Sequence, residues 1–200
     1  AFLRGVPLLK TLAWTTGFWN LFGQMIGIGV VLHAQENLGL SALAYGLTLA
    51  GGAVGGIAGS LMGERIARAL GPVRTMQWML AASGPCFLAM ALAPGAWTLG
   101  LCFAAMEFSS FVWNVVSVST RQRLIPDALL GRVNSIYRLL AWGMMPLGLV
   151  LSGLVVSLGE AFMARSPALV LPFWAAGIGS CVVTVLVWGG IRRGFAGISR

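Results

Sequence analysis

Hydrophobic residues fall in six long blocks along this chain, at 12–32, 43–62, 75–93, 97–119, 137–158 and 168–189. Each is close to the ~20 residues a helix needs to cross the hydrocarbon core of a bilayer. A membrane barrel would show short alternating segments instead of these continuous runs. Turn chemistry separates the blocks: Asn37 and Gly39, Gly71 and Pro72, Pro94 and Gly95, Pro126 and Asp127, Ser166 and Pro167. The pattern predicts an all-α integral membrane protein with a lead-in segment at 1–11, a six-helix bundle at 12–190 and a tail at 191–200.

The polar positions inside the blocks are unevenly shared. The first block carries Thr16, Asn20, Gln24 and Gly27 at spacings of three and four, one stripe of a helix. The second is rich in glycine and the third is plain. The fourth is polar again, with Glu107, Ser110, Asn114 and Ser117 on one face. The fifth is interrupted by Gly143, Pro146 and Gly148, and the sixth is plain. Polar, flexible, plain thus occurs twice. Three crossings reverse direction, so the second triplet would be an inverted copy of the first. Such 3+3 inverted repeats are a transporter signature, with the solute site at the repeat interface.

Gly51, Gly55, Gly59 and Gly63 recur every fourth residue in the second block. That spacing clears one narrow helix face of side chains, so a neighbouring backbone can come close. The face serves either as fixed packing or as a smooth contact that slides during gating.

Glu107 lies near the middle of its block. A charged side chain there costs about 2.5–3.5 kcal/mol on insertion scales, more than the roughly 0.5–1.5 kcal/mol that one ordinary hydrogen bond returns. It is therefore expected to face a cavity or a partner. Burial disfavours its charged form, which suits proton coupling. Attraction of a cationic solute is a second role, and a protonated acid bonded to a neighbouring helix a third. Asn20, Gln24 and Asn114 either contact solute or tie helices together. Trp14, Trp19, Trp113 and Trp142 either line a drug-sized cavity or pack and anchor at the interface.

Composition agrees with the pattern. Hydrophobic residues make up 58% and charged residues 9% of the chain, whereas a soluble domain carries about 25% charged residues. The net charge of +8 does not mark a nucleic-acid surface, because the basic residues sit in alternate gaps. Arg4 and Lys10 precede the first block. Arg65, Arg68 and Arg74 fill the second gap. Arg121, Arg123, Arg132 and Arg138 fill the fourth, and Arg192, Arg193 and Arg200 follow the last block. Of the 13 basic residues only Arg165 falls on the other side. By the positive-inside rule both ends are cytoplasmic, and the excess charge meets anionic lipid heads.

No enzyme chemistry is legible. Lys10 is the sole lysine and no phosphate-binding loop surrounds it. His33 is the sole histidine, and Cys86, Cys102 and Cys181 lie inside apolar blocks without metal or disulfide spacing. No cofactor and no metal are expected. The chain begins at Ala1, and its first block is too long for a signal peptide. It is expected to be a piece of a longer protein.

Two gap sequences carry a resemblance. The stretch 59–74, with Gly59, Gly63, Glu64, Arg65, Arg68, Gly71, Pro72 and Arg74, resembles the loop between helices eight and nine of the major facilitator superfamily. Its usual Asp is replaced here by Gly63, with Glu64 alongside. The stretch 121–135, with Arg121, Arg123, Pro126, Asp127, Gly131, Arg132 and Ser135, is similar to the loop between helices ten and eleven of the bacterial macrolide-efflux and enterobactin-exporter branch. The run from Gly143 through Pro146 to Gly148 fits as well. The likeness extends over essentially the whole chain.

The resemblance implies the carboxyl-terminal half of a twelve-helix transporter in the cell membrane. The first and fourth helices would line the cavity, with Asn20, Gln24, Ser110, Trp113, Asn114 and Ser117 around solute and Glu107 handling the proton. The second and fifth would meet the missing amino-terminal half. Glu64, Arg65, Arg68, Arg74, Arg121, Asp127 and Arg132 would form cytoplasmic gate loops, or would be solvated charges marking the inner face. The implied activity is proton-coupled efflux of small amphipathic compounds by alternating access. An importer of the same fold and a non-transporting membrane scaffold are the alternatives.

Overall fold

The computed structural model describes residues 6–197, and among these there is no strand. Six long helices and one short one follow in order: α1 (Pro7–Leu32), α2 (Ala42–Leu70), α3 (Pro72–Ala91), α4 (Ala96–Leu124), α5 (Asp127–Glu160), α6 (Arg165–Ala168) and α7 (Leu171–Ala196). A π-helical turn, His33–Asn37, continues α1. Prolines occupy the first turns of α1, α3 and α7, where a missing N–H costs nothing. Ser41 caps α2 by accepting the Ala44 N–H at 3.2 Å. Gly71 takes φ +79° and lets α2 turn directly into α3.

Among the described residues, five stretches are long and apolar enough to cross a membrane: Pro7–Asn37, Ala42–Leu70, Ala96–Leu124, Asp127–Glu160 and Arg165–Ala196. The outside of the bundle is apolar too. Leu139 is 72% exposed and Leu186 is 74% exposed, and large contiguous apolar surface of this kind belongs against lipid. The chain is thus a multi-pass helical membrane protein. Helix α3 stands apart. Its 20 residues rise about 30 Å, enough to span, but its composition is more polar. Gln77 of α3 donates to the Trp188 carbonyl of α7 at 2.9 Å, Ser83 shares a hydrogen bond with Ser180 at 2.6 Å, and Thr184 donates to the Leu80 carbonyl at 3.2 Å. These polar groups are spent on α7, so none is left facing lipid unpaired.

The helices pack as a connected series. α2 lies on α4, α4 on α3, α3 on α7, α7 on α1, and α1 on α5. One buried cluster gathers Met25, Ile26, Phe87, Met90 and Phe173. A second gathers Leu8, Leu12, Met76, Trp113, Tyr137 and Ile191 nearer the basic end. The glycine stripe sits on α4. A Cβ at Gly51 would come 3.1 Å from the Gly100 carbonyl oxygen, and one at Gly59 would come 2.5 Å from that of Phe108. A Cβ at Gly55 would run into the Ala104 carbonyl, and Gly63 meets Val115.

The helices outrun the apolar blocks at the basic end. α2 continues through Arg68, α4 through Arg123, and α7 through Arg193, while α5 starts ten residues before its block. The expected loop at 121–135 is therefore helical apart from a short break around Pro126. The interruption expected at Gly143, Pro146 and Gly148 is also absent, since α5 runs unbroken through Pro146. Proline inside a membrane helix removes one N–H, and the rest of the ladder can persist.

At the opposite end, Arg165 donates to both oxygens of Glu36 at 2.6 and 2.8 Å and to Glu160 at 2.6 Å. Asn37 adds a bond to the Ser166 carbonyl at 2.9 Å. The ends of α1, α5 and α6 are thereby tied together. Arg165→Ala is expected to lower the thermal midpoint of the detergent-solubilised protein by a few degrees at low ionic strength, because exposed pairs contribute little singly and more as a network. High salt should shrink the difference between variant and parent.

Candidate functional site

Helices α1 and α4 are not close-packed on each other. Side chains bridge the space between them, and α5 closes its side. The result is a cavity of about 280 Å³ between α1, α4 and α5. Helical spacing aims three α1 residues into it: Thr16, Trp19 and Asn20. Ser110, Trp113, Asn114, Ser117 and Arg121 come from α4 at intervals of three and four. Tyr137, Arg138, Ala141 and Trp142 come from α5.

Tyr137 is the hub of this wall. Its hydroxyl donates to the Leu12 carbonyl at 3.2 Å and bonds the hydroxyls of Thr16 at 2.7 Å and Ser117 at 3.3 Å. The Trp113 indole N–H reaches Thr16 at 3.3 Å. Asn20 spends its amide N–H on the Ala141 carbonyl at 2.8 Å, fastening α1 to α5. The rings of Trp19 and Trp113 stack at 6.1 Å. The Arg121 guanidinium lies 3.7 Å from the Tyr137 ring centre, and Arg138 lies 4.6 Å from that of Trp142. Such cation–π contacts partly replace water around the charge.

The cavity brings together Asn20, Ser110, Trp113, Asn114 and Ser117 from the set expected to contact solute. It excludes two others. Gln24 sits farther along α1 against α5, where a Cβ at Gly148 would lie 3.0 Å from its own Cβ. Glu107 looks elsewhere. It is partly buried in a separate groove of about 500 Å³ between α2 and α4, beside Gly52, Gly56, Phe103 and Phe111. Among the described residues the Glu107 carboxylate has no hydrogen-bond or ion-pair partner. Trp14 is 42% exposed and lies beside Phe18, outside the cavity.

The charges at the basic end, expected to form gate loops, do not gather into one cluster. Glu64 pairs with Arg68 at 3.1 Å within α2, and both side chains are exposed. Arg65, Arg74, Asp127 and Arg132 are exposed as well. Asp127 lies in the first turn of α5, where a carboxylate is favoured by the helix dipole. Arg121 turns inward to Tyr137 and joins neither Asp127 nor Arg132.

Tyr137 and Arg138 are the cavity residues that block-by-block hydropathy placed at a span edge. A usable signal was present. Pro126 followed by Asp127 is a helix start, and from there Asn134, Tyr137, Arg138 and Ala141 recur at helical spacing. No protein-family profile matches the chain, and no curated protein matches it. Among the described residues no three His, Cys, Asp or Glu side chains are placed to hold a metal. What the arrangement can do is admit a small polar or aromatic molecule between helices whose outer faces belong in lipid.

Proposed function

We propose that this chain is one half of a secondary active transporter of the major facilitator type, exporting small amphipathic compounds by alternating access. The observation that carries this reading is the polar, aromatic-lined cavity between α1 and α4. These are the two helices with polar stripes, and the cavity lies inside a bundle with an apolar exterior. Solute would occupy that cavity unchanged, with no catalytic step and no cofactor. Glu107 would carry the coupling proton in the neighbouring α2–α4 groove. The amino-terminal half would cover the exposed faces of α2 and α5, both chain ends of this half lying in the cytoplasm of a cell membrane.

The packing partners support a 3+3 arrangement. Exchanging α1, α2 and α3 for α4, α5 and α7 turns the α1–α5 contact into α4–α2 and the α1–α7 contact into α4–α3. The α3–α7 contact maps onto itself. A repeat whose first helix pairs with the second helix of the other copy leaves the two first helices facing a shared space.

The reading is tested with the chain reconstituted in vesicles together with its amino-terminal half. A panel of dyes and antibiotics is offered under an imposed pH gradient, with and without an uncoupler. Gradient-driven movement of at least one compound against its concentration is expected, and the uncoupler should abolish it. Absence of any gradient-dependent movement across the panel would refute the proposal.

A further inference from the structure

The cavity is electrically one-sided. Its wall holds two guanidinium groups, Arg121 and Arg138, and no carboxylate. Arg121 is partly buried, and its Nε has neither water access nor a hydrogen-bond acceptor. Taking even part of a guanidinium out of water without an acceptor is costly, and the Tyr137 ring face offsets only part of that cost. The acids of this chain are engaged or distant. Arg165 holds Glu36 and Glu160, Arg68 holds Glu64, and neither Glu107 nor Asp127 pairs with Arg121 or Arg138. On the same wall Ser110 and Asn114 line the cavity, and neither side chain spends a hydrogen bond on the described residues. The counter-ion that would complete this site is not supplied by the described residues.

We infer that the cavity between α1, α4 and α5 binds a small aromatic anion, a carboxylate or similar oxyanion on one or two fused rings. Arg121 is its principal counter-ion, Arg138 a second one, and Ser110 and Asn114 are donors to the same group. The apolar body of the solute lies against the Trp19, Trp113 and Trp142 rings. A cavity of about 280 Å³ lies just under the ~300–1,000 Å³ of pockets that take drug-sized ligands, which sets the size. The inference deepens the transport reading and rests on it for the claim that the occupant is a travelling solute. An anionic lipid headgroup offers the same oxyanion and is the competing source.

The test is a binding series on the full chain in phosphatidylcholine nanodiscs, read by tryptophan fluorescence and calorimetry. 2-Naphthoate is expected to bind at least about tenfold more tightly than the neutral 2-naphthamide, the scale of one charge-assisted hydrogen bond. The cation 2-naphthylmethylamine is expected not to bind. Arg121→Gln should remove most of the preference for naphthoate, Arg121→Lys should restore part of it, and the exposed Arg138→Gln should weaken it less. Equal binding of naphthoate and naphthamide, or tighter binding of the cation, overturns the proposal in the unmutated protein whatever the variants do to folding. Addition of phosphatidylglycerol separates the two sources. Loss of naphthoate binding in its presence assigns the site to lipid and overturns the solute claim. Persistence supports that claim. Naphthoate binding without gradient-driven transport would defeat the transport reading and leave the anion site standing. Uphill transport of cations without naphthoate binding would defeat the anion site alone.

Discussion

Gly55→Leu is expected to abolish the folded bundle. Gly55 is buried, and even the first carbon of a side chain there would collide with the Ala104 carbonyl on α4. Overpacking an ordinary core costs about 1–3 kcal/mol, because flexible side chains can yield. Here the obstruction is main chain, so α2 and α4 have to separate along the seam that runs from Gly51 to Gly63. The loss then includes dispersion contacts over several turns. Net stabilities are only about 5–15 kcal/mol, which makes collapse the expected result. The reading is a loss of the monodisperse peak on size exclusion and of a cooperative thermal transition. Gly153→Leu on α5 is the control, since nothing lies within 4 Å of a Cβ there, and it should unfold like the parent. A Gly55→Leu protein that stays folded and monodisperse but no longer transports would identify the seam as a sliding contact instead of fixed packing.

If the chain works as the proposed transporter, Glu107→Gln is expected to eliminate its proton-driven uphill transport while leaving the fold intact. The substitution keeps the shape of the side chain and removes its charge. No hydrogen bond inside the bundle is broken, because the Glu107 carboxylate makes none with the described residues. An acid near the middle of a span costs about 2.5–3.5 kcal/mol on insertion scales, so the neutral amide should raise the thermal midpoint or leave it unchanged. In vesicles, exchange down a solute gradient should persist and the response to an imposed pH gradient should vanish. An unchanged response to the pH gradient would remove Glu107 from the coupling step.

Hydropathy made the helices legible because lipid demands continuous apolar length, and the turn residues at Gly39, Gly71 and Pro126 marked where each one stops. It could not mark the helix ends at the basic end of the bundle. Outside the hydrocarbon, a backbone hydrogen bond forms equally well beneath Arg68, Arg123 or Arg193, so charge ends the apolar block without ending the helix. Hydropathy puts Tyr137 and Arg138 at a span edge for that reason. The third block is plain because its Gln77 and Ser83 are few, yet both are committed to α7. The stripe through Glu107, Ser110, Asn114 and Ser117 is one face by helical geometry. Whether one face meets one space depends on its neighbours. α2 takes the Glu107 end and α5 the Ser117 end, and no periodicity within α4 carries that information.

The order in which the helices pair bears on how the protein is made. α2 and α4 can meet once only α3 separates them, but α1 seats itself on α5 and α7, which emerge last. Asn20 and its acceptor Ala141 stand 121 residues apart in sequence. At ribosomal speeds of about 5–20 residues per second this is roughly 6–24 s. For that interval Thr16 and Asn20 must wait beside the insertion machinery or in the headgroup layer with their amide and hydroxyl groups unclaimed. Nascent chains arrested before Tyr137 should therefore be the ones most exposed to membrane quality control.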